Sequence, residues 1–192
     1  EGALWTYDIA TRNRQNRPDS FDRIVVAVDP ASTAKESSNE TGIMVAGRVG
    51  DHAFVLEDLS LRASPLEWAG KVVDAYHRWK ADAIVVETNQ GGDMIATTLR
   101  TVDPSVRIKE VHATRGKVLR AEPVVALYEQ SRVAHCGVFR DLEDQMCSWI
   151  PTQESPDRLD ALVWALTDLL LGHRQVPVVS PASLEQTSHW RI

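Results

Sequence analysis

Cysteine is scarce in this chain: Cys136 and Cys147 are the only two among 192 residues. They share no metal-ligand spacing with each other or with a histidine pair. They read as free thiols of a reducing compartment, which excludes a disulfide scaffold. Long apolar runs are missing as well: no stretch approaches the ~20 residues that a membrane-spanning helix needs, and no signal peptide is recognisable. Positive charge is not in excess, since 21 Lys and Arg against 27 Asp and Glu leave a formal net charge of −6. That balance supplies no global electrostatic pull toward nucleic acid. A phosphate-binding loop is absent too: Gly116-Lys117 is followed by neither Ser nor Thr and lacks the upstream glycine of a Walker A loop. The chain begins at Glu1 rather than Met, as a piece of a longer protein would.

What is present is the composition of one sizeable globular domain with loose ends: 43% hydrophobic and 25% charged residues, with ordinary Pro and Gly. The arginine-containing stretch Thr11 to Pro18 has no periodicity, so residues 1–22 read as a linker or arm and residues 23–172 as the domain. Residues 173–192 contain prolines and read as a tail. Residues 23–28 form a strand, and Ile43 to Val49 and His52 to Leu59 form two more around the turn at Gly50-Asp51, making an antiparallel meander. From Leu66 the period changes to helical. Strands at Ala83 to Glu87 and Val106 to Val111 then alternate with helices from Leu66, from Asp93 and from Lys117 to Gln130, the last interrupted by Pro123. Arg132 to Cys136 is a short strand candidate, a helix follows near Phe139 to Met146, and a closing apolar helix runs from Pro156–Asp160 to Gly172.

The chemistry concentrates in three acids at the ends of core elements. Ile24-Val25-Val26-Ala27-Val28 closes on Asp29, Ile84-Val85-Val86 closes on Glu87, and Asp160 lies near the start of the closing helix. An ionised carboxylate there is costly unless a cation, donors or water receives it. Taken singly, each is also read as an ordinary strand-end or helix-start acid. Together they gain meaning, because a right-handed crossover sets the fourth strand parallel to the first, with Asp29 beside Glu87 at matching carboxyl ends. Ligand crevices of open α/β sheets form there.

Oxygen ligands of this kind suit Mg²⁺ or Mn²⁺, and a metal pair can drive phosphodiester hydrolysis without a nucleophilic side chain. In such a site one metal would be shared by Asp29 and Asp160 and a second by Asp29 and Glu87. Helical phase sets Asp160 on the border of the stripe formed by Leu159, Leu162, Val163, Leu166 and Leu170. Asp157 lies nearly opposite that stripe and reads as a capping or helix-dipole acid, kept as an auxiliary ligand candidate.

The remaining features are weaker. Lys117 and Arg120, one turn apart, are candidate phosphate contacts or a solvated helix face. Asn89 and Gln90, before Gly91-Gly92, are candidate substrate contacts or part of a plain strand-to-helix turn. His112, His135 and His173 share no ligand spacing, and Trp68, Trp79, Trp149 and Trp164 read as packing residues.

Five segments, in order, resemble the carboxyl-terminal nuclease domain of the large terminase subunit of tailed bacteriophages and their prophage and gene-transfer relatives. They are Val26 to Ala31, Asn39 to Ile43, Ile84 to Gly92, Gly116 to Pro123 and Pro156 to Ala165, and the resemblance spans residues 3–172. Gly2 to Thr6 is similar to that family's junction after its motor domain.

The resemblance implies an RNase H-like α/β fold with a five-stranded mixed sheet of order 3-2-1-4-5. It also implies a metal-dependent endonuclease that cuts concatemeric double-stranded DNA in the host cytoplasm during packaging. Asp29, Glu87 and Asp160 match the family's metal-binding acids. The expected partners are DNA and, in the full protein, an ATPase motor domain, the portal and the small terminase subunit. This chain itself lacks ATPase motifs. Asn39 departs from the family, where Asp is common. A structure-selective resolvase of the same fold, or a catalytically silent DNA- or portal-docking domain, are the alternatives.

Overall fold

The computed structural model describes residues 2–30, 40–88, 92–114 and 116–172. The elements run in the order α1 (Tyr7–Thr11), β1 (Arg23–Asp29), β2 (Gly42–Val49), β3 (His52–Asp58), α2 (Pro65–Arg78), β4 (Ala83–Glu87), α3 (Gly92–Val102) and β5 (Ile108–Val111). They continue with α4 (Lys117–Glu129), β6 (Val133–His135), α5 (Arg140–Ser148) and α6 (Asp157–Leu166), which ends in a π-helical turn at Thr167–Leu171. No described helix is long and apolar enough to cross a membrane.

The meander forms as expected, with β1–β2 and β2–β3 antiparallel and β4 parallel to β1. The sheet order is β5-β4-β1-β2-β3-β6. The 3-2-1-4-5 core is therefore present, but the sheet has six strands rather than five. The extra strand, β6, joins the outer edge of β3 in parallel, pairing Ala53 with Val133 and Val55 with His135. Three residues carry too little local pattern to show which edge they will join.

Alternation along the strands divides the core into two layers. Val25 and Ala27 of β1, with Met44, Ala46 and Val85, face one apolar cluster that includes residues of α4, α5 and α6. Val26 and Val28, with Ile43, Val45, Ile84 and Val86, face the other, built with α2 and α3. A strand's side chains repeat every second residue, so Asp29 and Glu87 follow Ala27 and Val85 onto the α4–α6 face. α2 starts with a capping box, in which the Ser64 backbone N–H donates to Glu67 Oε2 (2.9 Å). α4 runs straight through Pro123, because Ala121, Val124, Val125, Leu127 and Tyr128 are buried on one side and outweigh the lost hydrogen bond.

The segment read as an arm is folded onto the domain. Trp5 is 1% exposed and packs against Trp149 at 6.4 Å between ring centroids. Arg12 Nη2 donates to the Glu129 carbonyl (2.6 Å), satisfying the C-terminal end of α4. Arg14 Nη2 donates to Glu143 Oε1 at 2.7 Å. A polar stretch without periodicity conceals this, because its arginines cap and pair rather than form a face.

Glu143 belongs to a buried chain of polar groups. Tyr128 Oη lies 2.8 Å from His135 Nε2, and His135 Nδ1 lies 2.9 Å from Glu143 Oε1. With the Tyr128 hydroxyl donating to Nε2 and Nδ1–H donating to the carboxylate, each ring nitrogen is satisfied. His135 thus has a core role.

A Cβ at Gly42 would stand 2.0 Å from the Asp157 carbonyl oxygen, so Gly42→Ala should cost about 3 kcal/mol by denaturant unfolding, as overpacking does. Burial alone raises the Glu143 pKa, but the His135 and Phe139 donors and the Arg14 charge outweigh it and hold the pKa below the ordinary value. A lowered folded pKa means that this stabilisation is full above the unfolded glutamate pKa and is lost as pH falls through the folded one. Glu143→Gln should therefore flatten the stability loss as pH falls below the ordinary glutamate range, read from urea midpoints on the acid side.

Candidate functional site

The β1–β4 pairing runs Val25–Ala83 to Val28–Val86, so Asp29 and Glu87 are the next rung, at the carboxyl end of adjacent parallel strands. On its other side Asp29 pairs with Gly42. The missing side chain at Gly42 lets the first turn of α6 lie directly on the sheet. That close approach delivers Asp157 and Asp160 to the strand ends. α4 runs beside α6 and adds two cations in matched rungs. Lys117 Nζ lies 2.6 Å from Asp160 Oδ2, and one turn on, Arg120 Nη1 donates to Glu87 Oε2 at 3.0 Å.

Asp29 carries the electrostatic strain. Burial, then Asp160 and Asp157, push its pKa well above the ordinary carboxylate value, while Lys117 pulls it down and Glu87 raises it further. Burial also pushes Asp157 up to about 6; Lys117 opposes the shift, and Asp160, Glu40 and Glu154 add to it. Burial alone would lower the Lys117 pKa, but Asp160, Asp29 and Asp157 raise it. One ammonium thus answers three carboxylates.

Asp160 is 5% exposed, and Ser155 Oγ donates to its Oδ1. Its Oδ2 is buried and has no directed hydrogen bond, so the Lys117 contact is an ion pair off the hydrogen-bonding angle. Trp164 Nε1 donates to Glu87 Oε2 at 2.8 Å, and the Arg120 guanidinium carbon lies 4.5 Å from the centre of the Trp164 ring.

The structure thus brings Asp29, Glu87, Asp160 and Asp157 to one end of the sheet. Asp157 does not face away from the sheet. It is the first residue of α6, and its surroundings are set by the approach to Gly42 rather than by helical phase. Lys117 and Arg120 each stand on a carboxylate, so neither is a free surface cation. Asn89, Gln90, Asn39 and His173 lie outside the described residues. Among the described residues, no group of three or more His, Cys, Asp or Glu is disposed to hold a metal ion as it stands; Lys117 and Arg120 already stand on Asp160 and Glu87.

Residue-by-residue reading missed Trp164 as anything beyond packing. Its signal was its i+4 spacing from Asp160, which puts both on one side of α6. Asp168 was also missed. It is 5% exposed in the π-helical turn and is paired with Arg23 (2.9 Å) and Lys109, away from the strand-end acids.

A mixed sheet sandwiched by helices, with carboxylates at the ends of its first and fourth strands and a third on the closing helix, defines an RNase H-like nuclease-type domain. The terminase RNase H-like domain family model matches residues 26–169, and the chain belongs to that family. It superimposes on the large terminase of bacteriophage HK97 with a TM-score of 0.65 and 8% identity, over 86% of this chain and 43% of that one. The large terminase nuclease of the thermophilic phage G20c, solved with bound zinc, gives a TM-score of 0.64 and 14% identity over 81% of this chain and 85% of that one. A protein of Solibacter usitatus (strain Ellin6076) named probable endonuclease 4 is 29% identical over 117 residues, covering 56% of this chain and 36% of its own length. The chain therefore spans less than half of the HK97 large terminase and of the Solibacter protein.

Besides its apolar packing, the first turn of α6 is tied to the sheet by one arginine. Arg158 donates to Glu40 at 2.8 and 2.6 Å and to Asp58 Oδ2 at 2.6 Å. Its side chain is 12% exposed, and that of Asp58 is 7% exposed. Removing the guanidinium would leave two poorly hydrated carboxylates without a cation, so Arg158→Met should cost about 3 kcal/mol in urea unfolding.

Proposed function

We propose that this domain is a metal-dependent endonuclease that cuts concatemeric double-stranded DNA during the packaging of a tailed phage, in the host cytoplasm. The observation that carries the proposal is the rung of Asp29 and Glu87 at the carboxyl edge of β1 and β4, with Asp160 brought to it by α6. Family membership supports the nuclease role.

The donor set fits a hard divalent cation. It consists of carboxylate oxygens, the Asp29 pKa is raised by burial and by its acidic neighbours, and a buried Asp160 oxygen lacks a directed partner. Asp29, Glu87 and Asp160 would hold Mg²⁺ or Mn²⁺ as a pair of ions, with Asp157 as an auxiliary ligand. The ions would supply Lewis acidity for the attack of water on the phosphodiester and neutralise the charge that develops there.

The chain's own residues prepare that role. Ser155 turns Asp160 by donating to its Oδ1. Trp164 and Arg120 fix Glu87 through Oε2, and Lys117 neutralises Asp160 while no divalent cation is bound. In the whole protein, an ATPase motor domain, the portal and the small terminase subunit would bring DNA to this edge. ATP hydrolysis belongs to that motor and not to this chain.

A catalytically silent docking domain is the second reading, favoured by the two cations that already stand on Glu87 and Asp160. Asp29→Asn should reduce Mg²⁺- or Mn²⁺-dependent nicking of plasmid DNA to background with an unchanged circular dichroism spectrum. Wild-type cleavage by that variant would overturn the endonuclease proposal. Mn²⁺ binding that ignores both Asp29 and Glu87 would favour the silent domain, and preferred cutting of four-way junctions over linear duplex would favour a resolvase.

A further inference from the structure

We propose that Trp164 is the positioning residue for Glu87, and that its indole N–H, together with the guanidinium it carries, tunes the affinity of the acid cluster for a divalent cation. This inference rests on the reading of Asp29, Glu87 and Asp160 as the cation site. Trp164 is 6% exposed, yet it is more than core filling. Its one polar atom donates to Glu87 Oε2 at 2.8 Å, and its ring supports Arg120, which donates to the same oxygen at 3.0 Å.

Two donors on one carboxylate oxygen set the rotation of the carboxylate. They also direct their hydrogen bonds away from Oε1, the oxygen to which neither donates. A carboxylate left to rotate would have to be ordered when it binds a cation; here the ordering is built in. The indole suits this place for two reasons. It donates without bringing a charge, so it orients Glu87 without competing for it. Its face also keeps the Arg120 guanidinium stacked within the fold, where it neutralises part of the acid cluster and stays on Oε2. Trp164 touches no reacting atom and acts through Glu87.

The decisive variant is Trp164→Phe, which keeps an aromatic ring under Arg120 and removes only the donor and one ring's volume. Mn²⁺ binding by titration calorimetry should weaken about tenfold relative to wild type, the scale of losing an outer partner of a metal ligand. The KM for DNA should be unchanged. A wild-type Mn²⁺ affinity in folded Trp164→Phe would overturn the proposal.

Because that variant can fail to fold, the wild-type protein supplies a second readout. The assigned indole N–H resonance of Trp164 in a ¹H–¹⁵N spectrum should shift saturably with Mg²⁺, and should not do so in Asp29→Asn. An indole resonance that Mg²⁺ leaves unmoved while calorimetry shows binding overturns the proposal. The two levels separate cleanly. If Asp29→Asn binds Mn²⁺ as the wild type does, the cation-site reading fails. If Asp29→Asn loses binding but Trp164→Phe keeps it, only the positioning role fails.

Discussion

Carboxylates brought together at the edge of a sheet repel one another, and each loses hydration as the fold closes around it. In this domain Asp29, Glu87, Asp157 and Asp160 gather at one edge, and the rest of the local structure answers that repulsion. Lys117 stands against Asp160 and lowers the burden on Asp29, while Arg120 stands on Glu87. Both cations come from one face of α4, one turn apart. The balance is incomplete: Asp29 stays well above the ordinary carboxylate pKa, Asp157 reaches about 6, and one buried oxygen of Asp160 lacks a directed partner. On the proposed reading, a divalent cation would make up that shortfall of positive charge.

Backbone approach makes the cluster possible. β2 begins at Gly42, opposite Asp29, and α6 lies so close there that any side chain would collide with the Asp157 carbonyl. The same helix is anchored by Arg158 to Glu40 and Asp58, at the start of β2 and the end of β3. Strand register, a glycine and one multiply paired arginine together decide where Asp160 stands. The acids therefore come from distant parts of the chain, yet their meeting point depends on few contacts.

Much of the strand plan was legible locally. The apolar runs ending in Asp29 and Glu87, the turn at Gly50-Asp51 and the alternating helices lead to the observed central order of strands. β6 falls inside the strand candidate at Arg132 to Cys136, but its place beside β3 escaped because three residues carry no signal for the edge they join. The folded state of residues 2–14 escaped because its anchors are single contacts, Trp5 against Trp149 and Arg12 at the end of α4. Helical phase set Asp160 on the border of the apolar stripe, and the fold leaves it 5% exposed. It misled on Asp157, because the first residue of a helix takes its surroundings from the chain it rests on.

The sequence by itself determined which acids close the core strands, on which side of β1 the parallel strand must lie, and which family the chain resembles. Those follow from short-range periodicity, crossover handedness and ordered segments. Only the tertiary structure decided that Asp29 and Glu87 share the α6 face, that Lys117 and Arg120 serve the acids rather than solvent, and that Trp164 holds Glu87. Such pairings span 33 to 77 residues of chain, and charge neutralisation or donor alignment at that separation has no local signature. It exists only once the sheet and two helices have brought the partners within a hydrogen bond of each other.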